Sequence, residues 1–188
     1  PAAYEAALAD HFLHDLEQGY WRDLVAFVKG LGVKVPVTGT QLDYSYVDTY
    51  RCYDYVDRHA YWKHPSFPGK PWDGNNYYVE SVSMLGSLKN TLLGAVIPDR
   101  VQGMPYTVSE YDHPYPNEYC GETAPFVATT AALHDHDGLF FFAYSTGAEN
   151  IGYFDYFNNF AKRHLFPFAA GQRFTHDEIG QPGDADAG

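Results

Sequence analysis

Apolar runs of strand length alternate with stretches of helical periodicity along this chain, and that order constrains the fold more than any other feature. Leu8, Phe12, Leu16, Tyr20, Leu24 and Phe27 recur every three to four residues and predict an amphipathic helix, closed by Gly30 and Gly32. VKVPVTGTQ (33–41) reads as a first short strand, YVDRHAYW (55–62) as a second, PYTVSEY (105–111) as a third and GLFFFAYST (138–146) as a fourth. Between them, 87–100 reads as a helix until Pro98, 121–136 as a helix with Pro125 in its first turn, and 151–164 as a last helix. A Pro/Gly-rich loop occupies 64–76. Strands alternating with helices fold as a parallel sheet with covering helices, and short apolar strands belong to a sheet covered on both faces. The expected architecture is a single α/β domain over 1–170 with about four parallel strands and flanking helices. The expected tail over 171–188, ending in GQPGDADAG, is flexible.

Composition narrows the function. The chain has 188 residues, enough for one domain with a core. Its net charge of -12, from 24 acidic and 12 basic side chains, repels phosphate backbones and anionic lipids. Nucleic acid and membrane are therefore excluded as expected partners. No apolar run reaches the roughly 20 residues of a membrane helix. The start, PAAYEAALADHF, lacks the basic-then-apolar pattern of a signal peptide. Two cysteines, Cys52 and Cys120, are too few for a disulfide scaffold or a zinc cluster and read as thiols. Aromatic residues make up 18% of the chain, with 17 Tyr, 13 Phe and 3 Trp. Tyr and Trp mixed with Asp, Asn and His suit a surface that stacks on sugar rings, and they suit a Tyr-rich core equally well.

The polar residues then sort by position. Gln41, then His59, Tyr61 and Trp62, then Glu110, then Tyr144 and Ser145 fall at the C-terminal ends of the four expected strands. In parallel α/β sheets that edge is where sites form. Glu110 closes the β-branched run of YTVSEYDHPYPNEY (106–119). A carboxylate there either caps neighbouring backbone or faces a cavity. HDHD (134–137) lies between a helix and the last strand and reads as a solvated turn; Pro65 and the strand end argue against a zinc pair of His59 and His64. No metal and no cofactor is expected.

VPVTGTQ, DRHAYWKHPSFPG, YTVSEYDHPYPNEY and HDGLFFFAYS together resemble the second half of clan A glycoside hydrolases, the cellulase-like, family 5-type (β/α)8 barrels, over roughly residues 10 to 146. The resemblance implies a partial barrel, strands five to eight, with Glu110 as the nucleophile at the end of strand seven. His59 and Tyr61 match the His-x-Tyr that hydrogen-bonds around the nucleophile and substrate. Tyr144 matches the aromatic that stacks under the sugar at strand eight. The implied activity is that of a retaining endo-β-1,4-glucanase acting on a β-glucan polysaccharide or oligosaccharide, for which secretion is the plausible setting. The family's Asn-Glu acid/base pair at strand four is missing: the one Asn-Glu, Asn117-Glu118, falls seven residues past Glu110 in a proline-containing loop.

Retaining hydrolysis needs a second carboxyl about 5–5.5 Å from the nucleophile. Asp43, Asp48, Asp73 and Asp112 are candidates, as are His59 or His64 acting as proton donor, or a Glu110 from a second copy. Gln41, Trp62, His64, Trp72 and Tyr144 are the candidate substrate-binding residues, with Trp62 and Trp72 as sugar platforms. Two readings from different classes stand: a glycanase, and a non-catalytic glucan-binding fragment. A metal-dependent hydrolase built on the histidines ranks below both. A half-barrel also leaves two raw strand edges, at 33–41 and 138–146, which a homodimer is expected to cover.

Overall fold

The computed structural model describes residues 2–41, 45–87, 97–147 and 151–171. The chain is a mixed α/β protein with a three-stranded parallel sheet, and it divides into two compact units. The first takes in Pro1–Tyr61, Lys89–Tyr111 and His136–Phe142; the second takes in Trp62–Leu88, Asp112–Asp135 and Ala143–Gly188.

In the first unit, helix α1 (Ala2–Gly30) leads through a 3-10 turn (Val47–Cys52) into strand β1 (Val56–Tyr61). Strand β2 (Tyr106–Asp112) lies in the middle of the sheet, between β1 and β3 (Gly138–Leu139). β2 and β3 run parallel, with Thr107 opposite Gly138 and Val108 opposite Leu139. Asp57 meets Thr107 and His59 meets Ser109, so β1 and β2 also rise together. Gly138 sits in a tight place: a Cβ there would lie 3.1 Å from the Thr107 methyl and 3.2 Å from the Phe140 ring, so those side chains would have to give by a few tenths of an ångström. Val56, Ala60, Tyr106, Val108 and Tyr111 form the buried core of this unit together with Tyr50 and Tyr53. The buried Arg58 is neutralised by Asp99 at 2.9 Å.

Three elements differ from the sequence expectation. Residues 33–41 form no regular strand. Pro36 has no N–H to give a ladder, and the Val37 N–H bonds the Asp54 carboxylate instead, at 2.7 Å. The segment still runs beside β1, with the Val37 carbonyl accepting from Asp54 N–H (2.9 Å) and the Gln41 carbonyl from His59 N–H (3.4 Å). The expected strand at 138–146 is regular for two residues only, although Phe140 and Phe142 still donate to the Val108 and Tyr111 carbonyls. At this end of the strand order Phe140 is 58% exposed. The third difference is α1. Its periodic apolar residues face outward, and the side turned to the unit is carried by His14, Trp21 and Lys29, which meet Asp48, Tyr53 and Asp54.

In the second unit, α2 (Thr123–Leu133) starts with Pro125 in its first turn, as the sequence predicts, and α3 (Phe160–Gly171) begins later than the expected 151–164. Asp155 accounts for the delay: its carboxylate takes the Asn158 backbone N–H at 3.1 Å and the Asn158 side-chain amide at 2.8 Å, a local turn that competes with helix. Glu122 ties the loop before it down, accepting from Ser83 Oγ (2.6 Å) and from the backbone N–H of Met84 (2.9 Å) and Leu85 (3.2 Å). Cys52 and Cys120 are free thiols. The helix expected over 87–100 and the expected tail lie largely outside the described residues.

A buried ion pair anchors this unit. Lys162 Nζ bonds both Asp112 oxygens, at 2.6 and 2.8 Å, with neither side chain exposed. Burial pushes Asp112 up and Lys162 down, against the attraction between them. The neighbouring His113 is fully buried, and burial first, then the Lys162 charge, pushes it from 6.5 down to about 3. Below 6.5 the unfolded chain therefore binds a proton that the folded chain refuses until about pH 3. Its contribution to stability is complete above 6.5 and declines as pH falls through that window, by up to about 1.4 kcal/mol per pH unit. His113→Gln is expected to flatten this acid limb, read as urea-unfolding free energy at a series of pH values across it; an unchanged slope would show that other groups set it.

Candidate active site

Asp57, His59 and Tyr61 alternate along β1 and therefore share one face. Thr107 and Ser109 hold the matching face of β2. Glu110 comes next in the chain and by simple alternation belongs to the opposite face. Register explains why it does not go there. Val56 N–H bonds the Pro105 carbonyl and Trp62 N–H bonds the Asp112 carbonyl, both at 2.9 Å, so six steps on β1 face seven on β2. The extra residue is a β-bulge, which re-aims the side chains beside it. Ser109 and Glu110 consequently both meet His59.

The resulting network is continuous. The buried Asp57 carboxylate accepts from the hydroxyls of Thr107 and Ser109, the latter at 2.5 Å. Ser109 has one hydrogen, and it goes to Asp57. Toward His59 Nε2, 2.8 Å away, the serine oxygen therefore accepts, and Nε2 carries the proton. Nδ1 lies 3.4 Å from Glu110 Oε2, an ion pair when the ring carries its second proton. The Tyr61 hydroxyl donates to the same Glu110 oxygen. Glu110 Oε1 has no partner among the described residues, and the side chain is 31% exposed. One oxygen of the carboxylate is thus held and the other is open. The Phe142 ring stands edge-on to Tyr61 at 6.4 Å and forms an apolar neighbour of the site.

Of the candidate residues, the structure brings His59, Tyr61 and Glu110 together, with Gln41 alongside through its carbonyl. The others lie in the second unit. Trp62 is buried, its Nε1 donating to the Val82 carbonyl at 2.8 Å. His64 stacks edge-on against Trp72 at 5.6 Å, and Trp72 is 60% exposed with φ 65°. Tyr144 is exposed beside Phe157.

Among the candidate proton donors, Asp112 is sealed by Lys162. Asp48 is held by His14 at 2.9 Å, and Asp73 accepts from the Asn75 backbone. Asp43 lies outside the described residues. In the HDHD turn, Asp137 caps the start of β2 by accepting the Tyr106 N–H at 2.8 Å, while His136 packs on the Tyr106 ring. Among the described residues no group of three or more His, Cys, Asp or Glu is arranged to hold a metal ion.

The sequence reading did not single out Asp57, Thr107, Ser109 or Phe142. The signal was present for three of them: Asp-x-His-x-Tyr and Thr-x-Ser place polar residues two apart within strands. Comparison of the chain with protein-family models, with curated proteins and with solved structures finds no match in any of the three.

Asp57 is the buried acceptor on which the hydroxyls converge. Asp57→Asn keeps the shape but cannot accept both hydroxyls as a charge, and hydrogen bonds to charged groups contribute about 1.5–3 kcal/mol. A loss of that size is expected in urea unfolding at neutral pH, and a variant as stable as wild type would show that the hydroxyls find other partners.

Proposed function

We propose that the chain is the C-terminal part of a clan A type (β/α)8 glycoside hydrolase, a half-barrel that acts on β-1,4-glucan by the retaining route with Glu110 as nucleophile. The observation that carries this reading is the asymmetry of Glu110: Oε2 held by Tyr61 and facing His59, Oε1 open, at the C-terminal end of a parallel strand. The held oxygen fixes the carboxylate and the open oxygen is free to attack. Attack at the anomeric carbon forms a glycosyl ester as the bond to the leaving oxygen breaks; that oxygen takes a proton from a general acid, and water later hydrolyses the ester. The exposed rings of Trp72 and Tyr144 offer faces on which sugars stack.

A second reading is a non-catalytic glucan-binding fragment. The observation in its favour is that Asp57, the other carboxylate in the Glu110 network, is buried and spent on two hydroxyls. His59, His64, Asp43 or a carboxyl from another chain is then the proton source under the enzymatic reading.

Turnover of carboxymethylcellulose by the pure protein, with and without a chelator, separates the readings. The enzyme hydrolyses it in both conditions; the binding fragment is retarded in a glucan-containing gel without turnover; chelator-sensitive turnover returns the metal reading. Given turnover, Glu110→Gln is expected to lower kcat by at least about 10²-fold with folding intact. Tyr61→Phe, which removes one hydrogen bond to a charged group, is expected to lower it by at least about tenfold. Wild-type rates in Glu110→Gln would place the chemistry elsewhere.

A further inference from the structure

The outward face of α1 is an apolar surface that the first unit leaves exposed. Leu8, Phe12, Leu16, Tyr20, Leu24 and Phe27 step along it and Leu31 follows just past its end, each between 36% and 69% exposed. Seven large side chains so exposed offer roughly 800 Å² of mostly apolar surface, the share one partner gives to an interface of standard size. Isolated monomers rarely expose a contiguous apolar patch beyond about 300–600 Å².

The order of the residues names the occupant. Read from either end, the stripe is Leu, Phe, Leu, Tyr, Leu, Phe, Leu. A two-fold interface requires a surface that complements itself, and an antiparallel pairing of two such helices centred on Tyr20 meets that requirement. It sets Leu16 at the level of Leu24 and Phe12 at the level of Phe27 of the other copy. The first five positions are spaced by four, the ridge that packs against its like at a crossing of about 50°. Contact then centres on Tyr20, Leu16 and Leu24, with the phenylalanines closing over it. A lipid surface suits this helix less well: α1 carries five carboxylates against Arg22 and Lys29, and anionic headgroups repel it.

We propose that two copies of this chain associate through α1, antiparallel about Tyr20. The contact uses the helix face and does not require the strand edges of a half-barrel, and it stands whether or not Glu110 is a nucleophile.

Two measurements test it. Light scattering at micromolar concentration is expected to give twice the 21.2 kDa of the chain, and Leu16→Glu/Leu24→Glu to halve that mass with the helical circular dichroism unchanged. In a Cys52→Ser background, Tyr20→Cys is expected to oxidise to a cross-linked dimer. Leu16→Cys mixed with Leu24→Cys is expected to cross-link as well, and Leu16→Cys alone is not. Because the cross-link reads register, it decides the matter even where the glutamate variant fails to fold. A wild-type monomer would overturn the proposal, and so would a monomer that sediments with neutral phosphatidylcholine vesicles, which assigns the stripe to lipid. A dimer in which Leu16→Cys links to itself as fast as Tyr20→Cys would overturn the antiparallel register.

Discussion

The pairing of β1 with β2 is the interaction on which the rest of this structure depends, and one extra residue in β2 decides what the pairing does. In a regular parallel ladder, Ser109 and Glu110 face opposite sides of the sheet. With seven steps of β2 set against six of β1, both reach His59. The network from Asp57 through Ser109 and His59 to Glu110 and Tyr61 exists only in that register. A shift by one residue would bury Glu110 without Tyr61, and an unpaired buried carboxylate costs several kcal/mol. The register is therefore held by the cost of its alternatives as much as by the bonds it makes.

Strands β1 and β2 also carry buried ionic groups, and each is answered locally. On β1, Asp57 takes two hydroxyls on one face and Arg58 takes Asp99 on the other. At the end of β2, Asp112 takes Lys162. Such groups add little net stability compared with apolar residues of the same size, but removing one partner is expensive. Their effect is to specify which segment lies beside which: the run containing Asp99 against β1, and the start of α3 against the end of β2. In a core rich in tyrosine, where Tyr50, Tyr106 and Tyr111 are all fully buried, polar specification of this kind replaces part of the shape matching that aliphatic cores supply.

What could be read from the sequence follows what is local. The alternating run that forms β1, the β-branched run that forms β2, the Pro125 helix start and the nearness of His59, Tyr61 and Glu110 are all legible, because such runs and strand ends are properties of a few neighbouring residues. The failures have non-local causes. VKVPV has strand composition, yet Pro36 withholds a donor and Asp54, seventeen residues on, captures the Val37 N–H. Phe157 and its neighbours look helical, yet the Asp155 carboxylate closes a turn on Asn158 first. The bulge that delivers Glu110 to its partners has no signature in β2 itself; it appears only when the two strands are counted against each other. Asp57, Thr107 and Ser109 show in the sequence only as polar residues inside strands, and what they bond is set by the neighbouring strand.

The helix α1 shows the same limit from the other side. Its apolar period predicts a helix, and the helix forms with that face turned outward. Periodicity reports that a face needs cover without saying what covers it. Here the polar and ring contacts to α1 include those of His14, Trp21 and Lys29, Val25 and Val28 are half-buried, and none of the described α1 side chains is fully buried. A helix attached by such contacts gains little from its own unit, since partly exposed ion pairs contribute at most about 1 kcal/mol each. Most of the stability available to α1 therefore lies on its outward face, and it is realised only when that face is taken out of water.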